Sequence, residues 1–298
     1  MASLSSSDGR GTSPAVSIDT PFDRALRRQR RDRAARTFAD ADYLHRLAAE
    51  ELLDRLDLVQ RSFHDVLDLG SGGGYLASRL RDQGMAVTSV DAGARFAELT
   101  RGVQAEEDQL PFTPQSFDLI MSVGVLDTVN DLPGALVQIR RLLRPDGLFL
   151  GAFLGAGSLP ALRAAMMAAD EVAGAMSPHI HPQIDLRSAG DLLARAGFAL
   201  PVVDSQDITV RFRHLLRLIG DLRAMGGTNI LASRARRPVL RAGLAAAIAD
   251  FASHADADGR TAERFEIVYL SGWAPSPDQP KPARRGSGRV SLSEVLKS

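Results

Sequence analysis

The stretch Asp68-Leu69-Gly70-Ser71-Gly72-Gly73-Gly74 decides the fold of this chain. The apolar run before it, residues 66–69, reads as a strand, and Tyr75–Asp82 after it reads as a helix. Glycines at alternate positions allow a tight turn and let a ligand approach the backbone, while amides at the helix start point outward. Loops that hold a dinucleotide pyrophosphate usually spread their glycines as G-x-G-x-x-G, which differs from this spacing. The pattern predicts a ligand-binding loop formed by Asp68, Gly70, Ser71, Gly72 and Gly74.

A second acidic residue ends the next predicted strand, residues 86–90. Asp91 stands 21 residues after Gly70, the spacing at which a ribose-binding carboxylate is expected. Its two oxygens can accept hydrogen bonds from both ribose hydroxyls. The alternative is that Asp91 caps the short helix that begins after Ala92. Because the glycine loop precedes it, we favour a ribose site at Asp91 and Ala92.

The third feature is an acidic turn, Glu106-Glu107-Asp108-Gln109-Leu110-Pro111-Phe112, which would read as a surface loop if it stood alone. Together with the D-x-G-x-G-x-G loop and Asp91, in this order, it resembles the class I methyltransferases that use S-adenosylmethionine (SAM). Those enzymes often carry an acidic residue four places before Leu-Pro-Phe, where it receives the adenine amino group. The resemblance implies SAM as the cofactor. It also implies an adenine contact from Glu106, and it places Glu107 and Val123, the last residue of the predicted strand Phe117–Val123, among the cofactor-binding residues.

From residue 64 onward, predicted strands and helices alternate. Continuous apolar strands separated by helical patterns favour a parallel sheet that is covered on both faces. The resemblance extends this prediction to an α/β, Rossmann-like class I methyltransferase fold. We expect a mostly parallel seven-stranded sheet with helices on both faces and a helical insertion before the last two strands, residues 207–212 and 265–273.

The composition excludes several classes of function. The 298 residues are 45% hydrophobic and 24% charged, with 36 Lys plus Arg against 36 Asp plus Glu. A net charge of zero provides no overall field toward nucleic acid or an anionic membrane. Without cysteine, the chain has no disulfides, thiolate zinc sites or cysteine-held iron–sulfur clusters. No apolar run approaches the length of a membrane span, and we expect a cytoplasmic, bacterial protein.

The chain divides into five predicted segments. Residues 1–20 are rich in Ser, Gly and Thr and read as a disordered leader. Residues 21–60 read as an N-terminal helical lid, 61–155 as the SAM-binding core, and 156–273 as a helical lobe with the last two strands. Residues 274–298, rich in Pro, Lys, Arg and Gly, read as a surface tail.

Seven arginines are concentrated in residues 23–36. The plainer interpretation is a solvated helix face. The alternative is a lid that binds the SAM carboxylate or an acidic substrate, since a guanidinium can hold a carboxylate with two hydrogen bonds. Arg36 and Arg31 are the preferred lid residues, and Arg36 is our candidate for the cofactor site.

Further motifs narrow the resemblance to one family. They are Phe22-Asp23-Arg24, Val129-Asn130-Asp131-Leu132-Pro133, Ser177-Pro178-His179, Arg195-Ala196-Gly197-Phe198, Asp221-Leu222, Met225-Gly226, Asn229, Gly272-Trp273 and Arg285-Gly286-Ser287. Over residues 22–292, the chain resembles the family of the mitochondrial complex I assembly factor known as an arginine hydroxylase, together with its bacterial counterparts. The biotin-synthesis methyltransferase that acts on malonyl carrier protein resembles it more distantly.

One stretch departs from this family at the place expected to face the reacting end of SAM. Relatives carry Leu-His-Trp-Val there, whereas this chain has Leu126-Asp127-Thr128-Val129. Asp127 is therefore the candidate catalytic base in place of a histidine. An exposed carboxylate with an ordinary pKa of about 4 would be a weak base at neutral pH.

His179 and His181 offer a metal-binding alternative. Residues two apart in an extended segment point to the same side, and Asp185 would complete an iron-type triad suited to a hydroxylase. We favour the plainer interpretation, a proline-flanked loop with one structural histidine.

These observations together predict a SAM-dependent methyltransferase. The sequence does not predict the substrate, and a protein such as a complex I subunit is one candidate. Protein arginine hydroxylation in complex I assembly is the first alternative, and a SAM-binding assembly chaperone without turnover is the second. SAM is the expected partner, and neither a metal nor nucleic acid is expected.

Overall fold

The computed structural model describes residues 20–277 and residue 279. The elements in this region follow one another as α1 (Arg24–Ala34), α2 (Tyr43–Asp57), β1 (Asp65–Leu69), α3 (Tyr75–Asp82), β2 (Ala86–Asp91), α4 (Ala94–Thr100), β3 (Val103–Gln104), β4 (Phe117–Val123), α5 (Leu132–Leu142), β5 (Leu143–Leu154), α6 (Pro160–Ala173), α7 (Leu186–Ala196), β6 (Ala199–Phe212), α8 (Leu215–Ala224), α9 (Arg241–Ser253) and β7 (Thr261–Trp273). Short 3₁₀ turns lie at Phe38–Asp40 and Leu126–Thr128.

The seven strands form one sheet in the order β3-β2-β1-β4-β5-β7-β6. The pairs from β3 to β5 are parallel, whereas β7 runs antiparallel to both β5 and β6. The prediction of a mostly parallel sheet is therefore wrong, because the sheet is mixed. The sequence pattern of alternating strands and helices is the same whether the last strand is parallel or antiparallel to its neighbours. The pattern alone therefore does not reveal the direction of β7. The antiparallel pair is also long, at 14 residues in β6 and 13 in β7.

The helical lobe is discontinuous in the chain. Helices α6 and α7 precede β6, as predicted, but α8 and α9 lie between β6 and β7. The two parts pack together where Gly243 of α9 meets α6. A Cβ atom placed on Gly243 would lie 3.0 Å from the carbonyl oxygen of Ala169, so a side chain there would separate the helices.

Alternate residues of the central strands pack on opposite faces of the sheet. On β4, Leu119 and Met121 belong to the cluster that contains Leu52 of α2. Ile120, between them, belongs to the cluster on the other face with Leu136 of α5. All three β4 side chains are fully buried. The predicted cover of helices on both faces is therefore present.

The parallel strands place their carboxyl ends at one edge of the sheet, where α/β proteins bind ligands. The loop 68–74 follows β1 there, Asp91 ends β2, and the 3₁₀ turn Leu126–Thr128 follows β4. The register pairs Leu69 with Val90 and with Ser122, which brings the three strand ends side by side. Helix α1 packs across this edge against α4 and α8.

Parts of the predicted segments lie beyond the described region. These are residues 1–19 of the leader and residues 278 and 280–298 of the tail. The remaining segment boundaries stay predictions. In the described part of the chain, no helix is long and apolar enough to cross a membrane.

The two-faced packing of β4 leads to a stability prediction. We expect Leu119→Ala to lower the free energy of unfolding by about 2–5 kcal/mol, because it leaves a cavity in a fully buried layer. Leu58→Ala is the matched control, since Leu58 is 83% exposed and its loss should change the value by about 0.5 kcal/mol or less. Urea denaturation of both variants measures this; equal losses would contradict the assigned core.

Candidate cofactor and active site

The glycine loop has the backbone conformation that its sequence predicts. Gly70, Gly72 and Gly74 have φ angles of +84°, +49° and +81°, in the left-handed region that favours glycine. The amides of Gly70 and Ser71 both donate to the carbonyl oxygen of Val90, at 2.8 and 2.9 Å. A Cβ atom on Gly70 would lie 2.4 Å from a methyl group of Val125. The loop is thus held against β2 in a form that admits no side chain at Gly70.

Asp68, at the start of this loop, is a buried carboxylic acid that forms no ion pair with any described residue. It is 1% exposed, and its Oδ2 atom has no hydrogen-bond partner within the described chain. Burial, and then the negative charge of Asp91, raise its pKa to about 7 against a small opposing effect of Arg81. An unpartnered buried oxygen beside the loop is a ready acceptor for a ligand's donor group.

Asp91 lies fully buried at the end of β2 and accepts four hydrogen bonds. The backbone amides of Gly72 and Gly93 donate to it at 3.0 and 2.8 Å. Arg31 of α1 donates from Nε at 2.7 Å and from Nη2 at 2.5 Å. Ala92, next to it, is 1% exposed and accepts a hydrogen bond from Gln104. The predicted ribose carboxylate therefore lies beside the loop, and an arginine holds it.

The acidic turn after β3 is bound to the same helix. Arg27 donates to Glu106 at 3.0 Å and to both oxygens of Glu107 at 2.7 and 2.8 Å. Arg28 adds a contact to Glu106, at 2.6 Å. Although burial opposes it, the two glutamates raise the pKa of Arg27, so this guanidinium remains charged. The interpretation of α1 as a solvated face is wrong for Arg27 and Arg31, which are 4% and 7% exposed.

An aromatic residue that the sequence did not single out covers the glycine loop. Cβ atoms placed on Gly72 and Gly73 would lie 3.3 and 3.2 Å from the ring of Phe38. That ring meets Phe96 edge-on, with centroids 5.1 Å apart, and the guanidinium of Arg31 lies over Phe96 at 5.1 Å. By contrast Arg36, the sequence candidate for a cofactor contact, is exposed after the end of α1. Its role in binding stays a prediction.

A cavity of about 870 Å³ lies on the other side of α1. Arg27 and Arg31 line it, whereas the carboxylates that they bind do not. Val123 and Gly124, at the end of β4, form the wall nearest the strand ends. Apolar side chains of the helical lobe form the opposite wall, among them Leu159, Leu162, Met166, Ile219, Leu222 and Met225.

Asp127 and His45 face this cavity together. Asp127 is partly buried rather than exposed, and its Oδ1 atom has no partner in the described residues. Burial raises its pKa to about 6, against the nearby charges of Arg27 and Arg31. The expectation of an ordinary pKa is therefore wrong, because the turn after β4 is packed beneath α1. At neutral pH Asp127 is a stronger base than a solvated carboxylate.

His45 of α2 is a second cavity residue that the sequence analysis missed. Burial, and then the positive charge of Arg31, lower its pKa to about 4, so the imidazole is neutral at physiological pH. Its ring meets Phe38 edge-on at 4.9 Å, and its Nε2 atom lies 2.7 Å from where a Cβ of Gly124 would stand. The only local signal was a histidine on the inner face of a predicted helix.

The three groups of the metal-binding alternative have separate protein partners. His179 contacts Asp170 at 2.8 Å, and His181 accepts a hydrogen bond from the amide of Ile230 at 3.0 Å. Asp185 caps α7 by accepting from the amide of Ser188. The described residues contain no group of three or more potential metal ligands. Each histidine thus has its own protein partner, and both also line the cavity described above.

Comparison with known proteins identifies the family. A family model described as a methyltransferase domain matches residues 27–201. The chain belongs to the methyltransferase family. Membership confirms the predicted resemblance to SAM-dependent methyltransferases and SAM as the cofactor. The chain is also 36% identical to arginine-hydroxylase NDUFAF5 of Homo sapiens over 287 residues, which cover 93% of this chain and 83% of that protein.

Two further relatives and two solved structures agree with this assignment. The methyltransferase is 34% identical to arginine-hydroxylase NDUFAF5 of Danio rerio, over 93% of this chain and 89% of that protein. It is 32% identical to malonyl-[acyl-carrier protein] O-methyltransferase of Laribacter hongkongensis, over 82% and 87%. BH2331 of Bacillus halodurans has a TM-score of 0.54 at 15% identity, over 76% of this chain and all of that one. YcgJ of Bacillus subtilis has 0.52 at 16%, over 76% and 99%. At this identity the two structures support the fold alone.

The residues of this methyltransferase fit SAM at the loop and at Asp68. The left-handed loop glycines carry no side chains that would keep a ligand from the backbone, and the unpartnered Asp68 oxygen suits a positively charged amino group. At Asp91 and Glu106 the acceptors are present, but Arg31 and Arg27 already hold them.

The raised pKa of Asp68 leads to a pH prediction. The folded-state pKa of about 7 lies above the ordinary value of 3.8, so the folded protein binds this proton more tightly and loses stability as pH rises between the two values. Asp68→Asn lacks this titration. Between about pH 5 and about pH 8, the stability of the wild type should fall by about 3 kcal/mol relative to the variant. Denaturant unfolding at both pH values measures this. A difference independent of pH would show that Asp68 stays ionised.

Proposed function

We propose that this methyltransferase transfers the methyl group of SAM to a substrate that carries an anionic group and binds in the cavity behind α1. The observation that carries the proposal is the charge of the cavity lining. Six arginines line the cavity, against three aspartates, Asp40, Asp127 and Asp221.

Three of these arginines have no carboxylate partner among the described residues, although one of them, Arg30, donates a hydrogen bond to the carbonyl oxygen of Asn229. Arg27, Arg31 and Arg217 form ion pairs with carboxylates of the protein. In the described chain the other three, Arg30, Arg33 and Arg223, have no carboxylate partner within ion-pair distance. Burial, and then the like charges of Arg234, Arg33 and Arg223, lower the pKa of Arg30, so these cations repel one another. A carboxylate or phosphate would relieve that repulsion, whereas a guanidinium substrate would add to it.

Asp127 and His45 supply the polar groups at the other wall of the cavity. With a pKa of about 6, Asp127 is mainly ionised at neutral pH and can take the proton that a hydroxyl or amine loses as it becomes a nucleophile. His45 stays neutral, so its unpartnered Nδ1 atom can take part in a hydrogen bond that orients the substrate.

Methyl transfer from SAM requires the protein mainly to position the nucleophile, because the methyl group of SAM is already activated. SAM supplies a methyl group on a positively charged sulfur, which leaves as a neutral thioether when a nucleophile takes the methyl carbon. The glycine loop and Asp68 would hold the cofactor, and Asp127 would hold the nucleophile at the end of β4. The apolar side chains of the helical lobe that line the cavity would exclude water from the reacting atoms.

Arginine hydroxylation in complex I assembly is the competing proposal. It is favoured by the relatives named arginine hydroxylases, which are 34–36% identical over 93% of this chain. The malonyl carrier protein relatives favour methyl transfer to an acidic substrate instead. Because those relatives are bacterial, we also propose that the protein acts in a bacterial cytoplasm. The cavity charge supports the acidic substrate over the guanidinium.

The product mass separates these proposals. We expect the purified protein, given SAM and malonyl acyl carrier protein as an acidic probe, to release S-adenosylhomocysteine (SAH) and to add one methyl group in place of a hydrogen. An arginine peptide from a complex I subunit serves as the basic probe. A gain of one oxygen atom on that peptide would establish hydroxylation instead. No change in either probe, with SAH binding intact, would favour the chaperone.

Two variants test the residues behind the proposal. Asp127→Asn should lower kcat by about a hundredfold or more, as expected when a general base is lost. Arg33→Met should raise KM for the acidic probe by about tenfold with little change in kcat, because it removes a binding contact. Arg46→Met removes the same charge from an exposed site on α2 and is the control. Equal KM values for both arginine variants would contradict the anionic substrate.

A further inference from the structure

The arginines of α1 occupy the carboxylates that the cofactor site requires. Arg31 holds Asp91, the ribose candidate, and Arg27 holds Glu106, the adenine candidate, together with Glu107. The side chains of all five residues are 8% exposed or less. These contacts are therefore buried ion pairs, which solvent and salt weaken far less than surface pairs.

The acceptor capacity of Asp91 is full. A carboxylate offers about four lone-pair sites, and Asp91 already receives four donors. The amides of Gly72 and Gly93 belong to the turns that position Asp91, so they cannot leave without disturbing the loop. Arg31 is the donor that can leave, because it belongs to a separate helix. A ribose can therefore reach Asp91 only in place of Arg31.

The loop itself is covered by the segment that follows α1. The Phe38 ring lies so near the loop that a Cβ atom on Gly72 or Gly73 would stand 3.3 or 3.2 Å from it, and the ring packs on Phe96 together with Arg31. A ligand that approaches the loop backbone would meet this ring first. Arg31 thus blocks Asp91 by pairing with it, and Phe38 blocks the adjacent glycine loop sterically.

We propose that residues 24–40, comprising α1 and the 3₁₀ turn Phe38–Asp40, form an autoinhibitory clasp that competes with SAM for its own binding groups. Cofactor binding opens the clasp: Arg31 leaves Asp91, Arg27 leaves Glu106, and Phe38 leaves the glycine loop. The proposal rests on the ribose and adenine assignments in the proposed cofactor site.

The clasp and a lid that completes the cofactor site make opposite predictions. A lid arginine contacts the bound cofactor, so its removal weakens cofactor binding. A clasp arginine occupies the protein carboxylates that would accept hydrogen bonds from the cofactor, so its removal strengthens cofactor binding. Arg31→Met keeps apolar packing on Phe96 and removes the guanidinium. Arg31→Lys keeps a positive charge beside Asp91 but loses the paired hydrogen bonds, and it guards against a fold that fails with an uncompensated buried carboxylate.

Calorimetric titration with SAH tests the sign. We expect Arg31→Met to bind SAH about ten- to a hundredfold more tightly than the wild type, and Arg31→Lys to lie between them. Arg46→Met, the charge-matched control outside the clasp, should match the wild type within about twofold. Equal or weaker binding by both Arg31 variants would overturn the clasp while leaving the cofactor site intact. Failure of every protein to bind SAH would overturn the cofactor assignment itself.

Hydrogen exchange supplies a readout that does not depend on affinity. SAH should increase amide exchange in α1 of the wild type, because the helix loses its contacts to Asp91 and Glu106. A decrease would show that α1 tightens over the ligand and would overturn the clasp. Circular dichroism of each variant without ligand confirms that the comparison is made between folded proteins.

Discussion

Four buried carboxyl groups at one edge of the sheet set the main physical constraint on this protein. Asp68, Asp91, Glu106 and Glu107 are each 5% exposed or less. An ionised carboxylate is costly to bury without a cation or several hydrogen bonds. Helix α1 supplies the cations for three of the four, and this requirement places it across the strand ends. The position of α1 then separates the loop from the cavity and brings Phe38 over the glycines.

The fourth carboxyl group, Asp68, shows what happens where no cation is provided. It lies near Asp91, yet Arg31 donates only to the latter. Burial and the charge of Asp91 therefore raise the pKa of Asp68 to about 7, and one oxygen remains unpartnered. At this edge of the sheet, Asp91 is therefore paired with an arginine, whereas Asp68 keeps an oxygen that can accept a hydrogen bond from a ligand. That asymmetry agrees with a cofactor whose positively charged group meets Asp68.

Local sequence patterns predicted the parts of the site that depend on neighbouring residues. The glycine loop, the strands beside it and Asp91 follow from spacing within about two dozen residues, as expected for a βαβ unit. The pairing of Arg27 with Glu107 joins positions 80 residues apart, and Asp127 becomes buried only because α1 packs over it. The antiparallel position of β7 beside β5 also depends on contacts between residues far apart in the sequence. Arginines four apart on α1 were a usable signal, since residues 27 and 31 share one helix face.

The charges of the site link cofactor and substrate. Each guanidinium that leaves a carboxylate must find another counter-charge, because an unpaired buried cation is as costly as an unpaired buried anion. Arg27 and Arg31 already line the cavity, beside Arg30 and Arg33, so an anionic substrate there would meet them as they leave. The substrate would then stabilise the state in which Asp91 and Glu106 are free for the nucleoside. By linkage, the cofactor would raise the affinity for the substrate by the same factor. An acidic substrate would in this way strengthen SAM binding, because it provides the counter-charge for the arginines that leave the carboxylates.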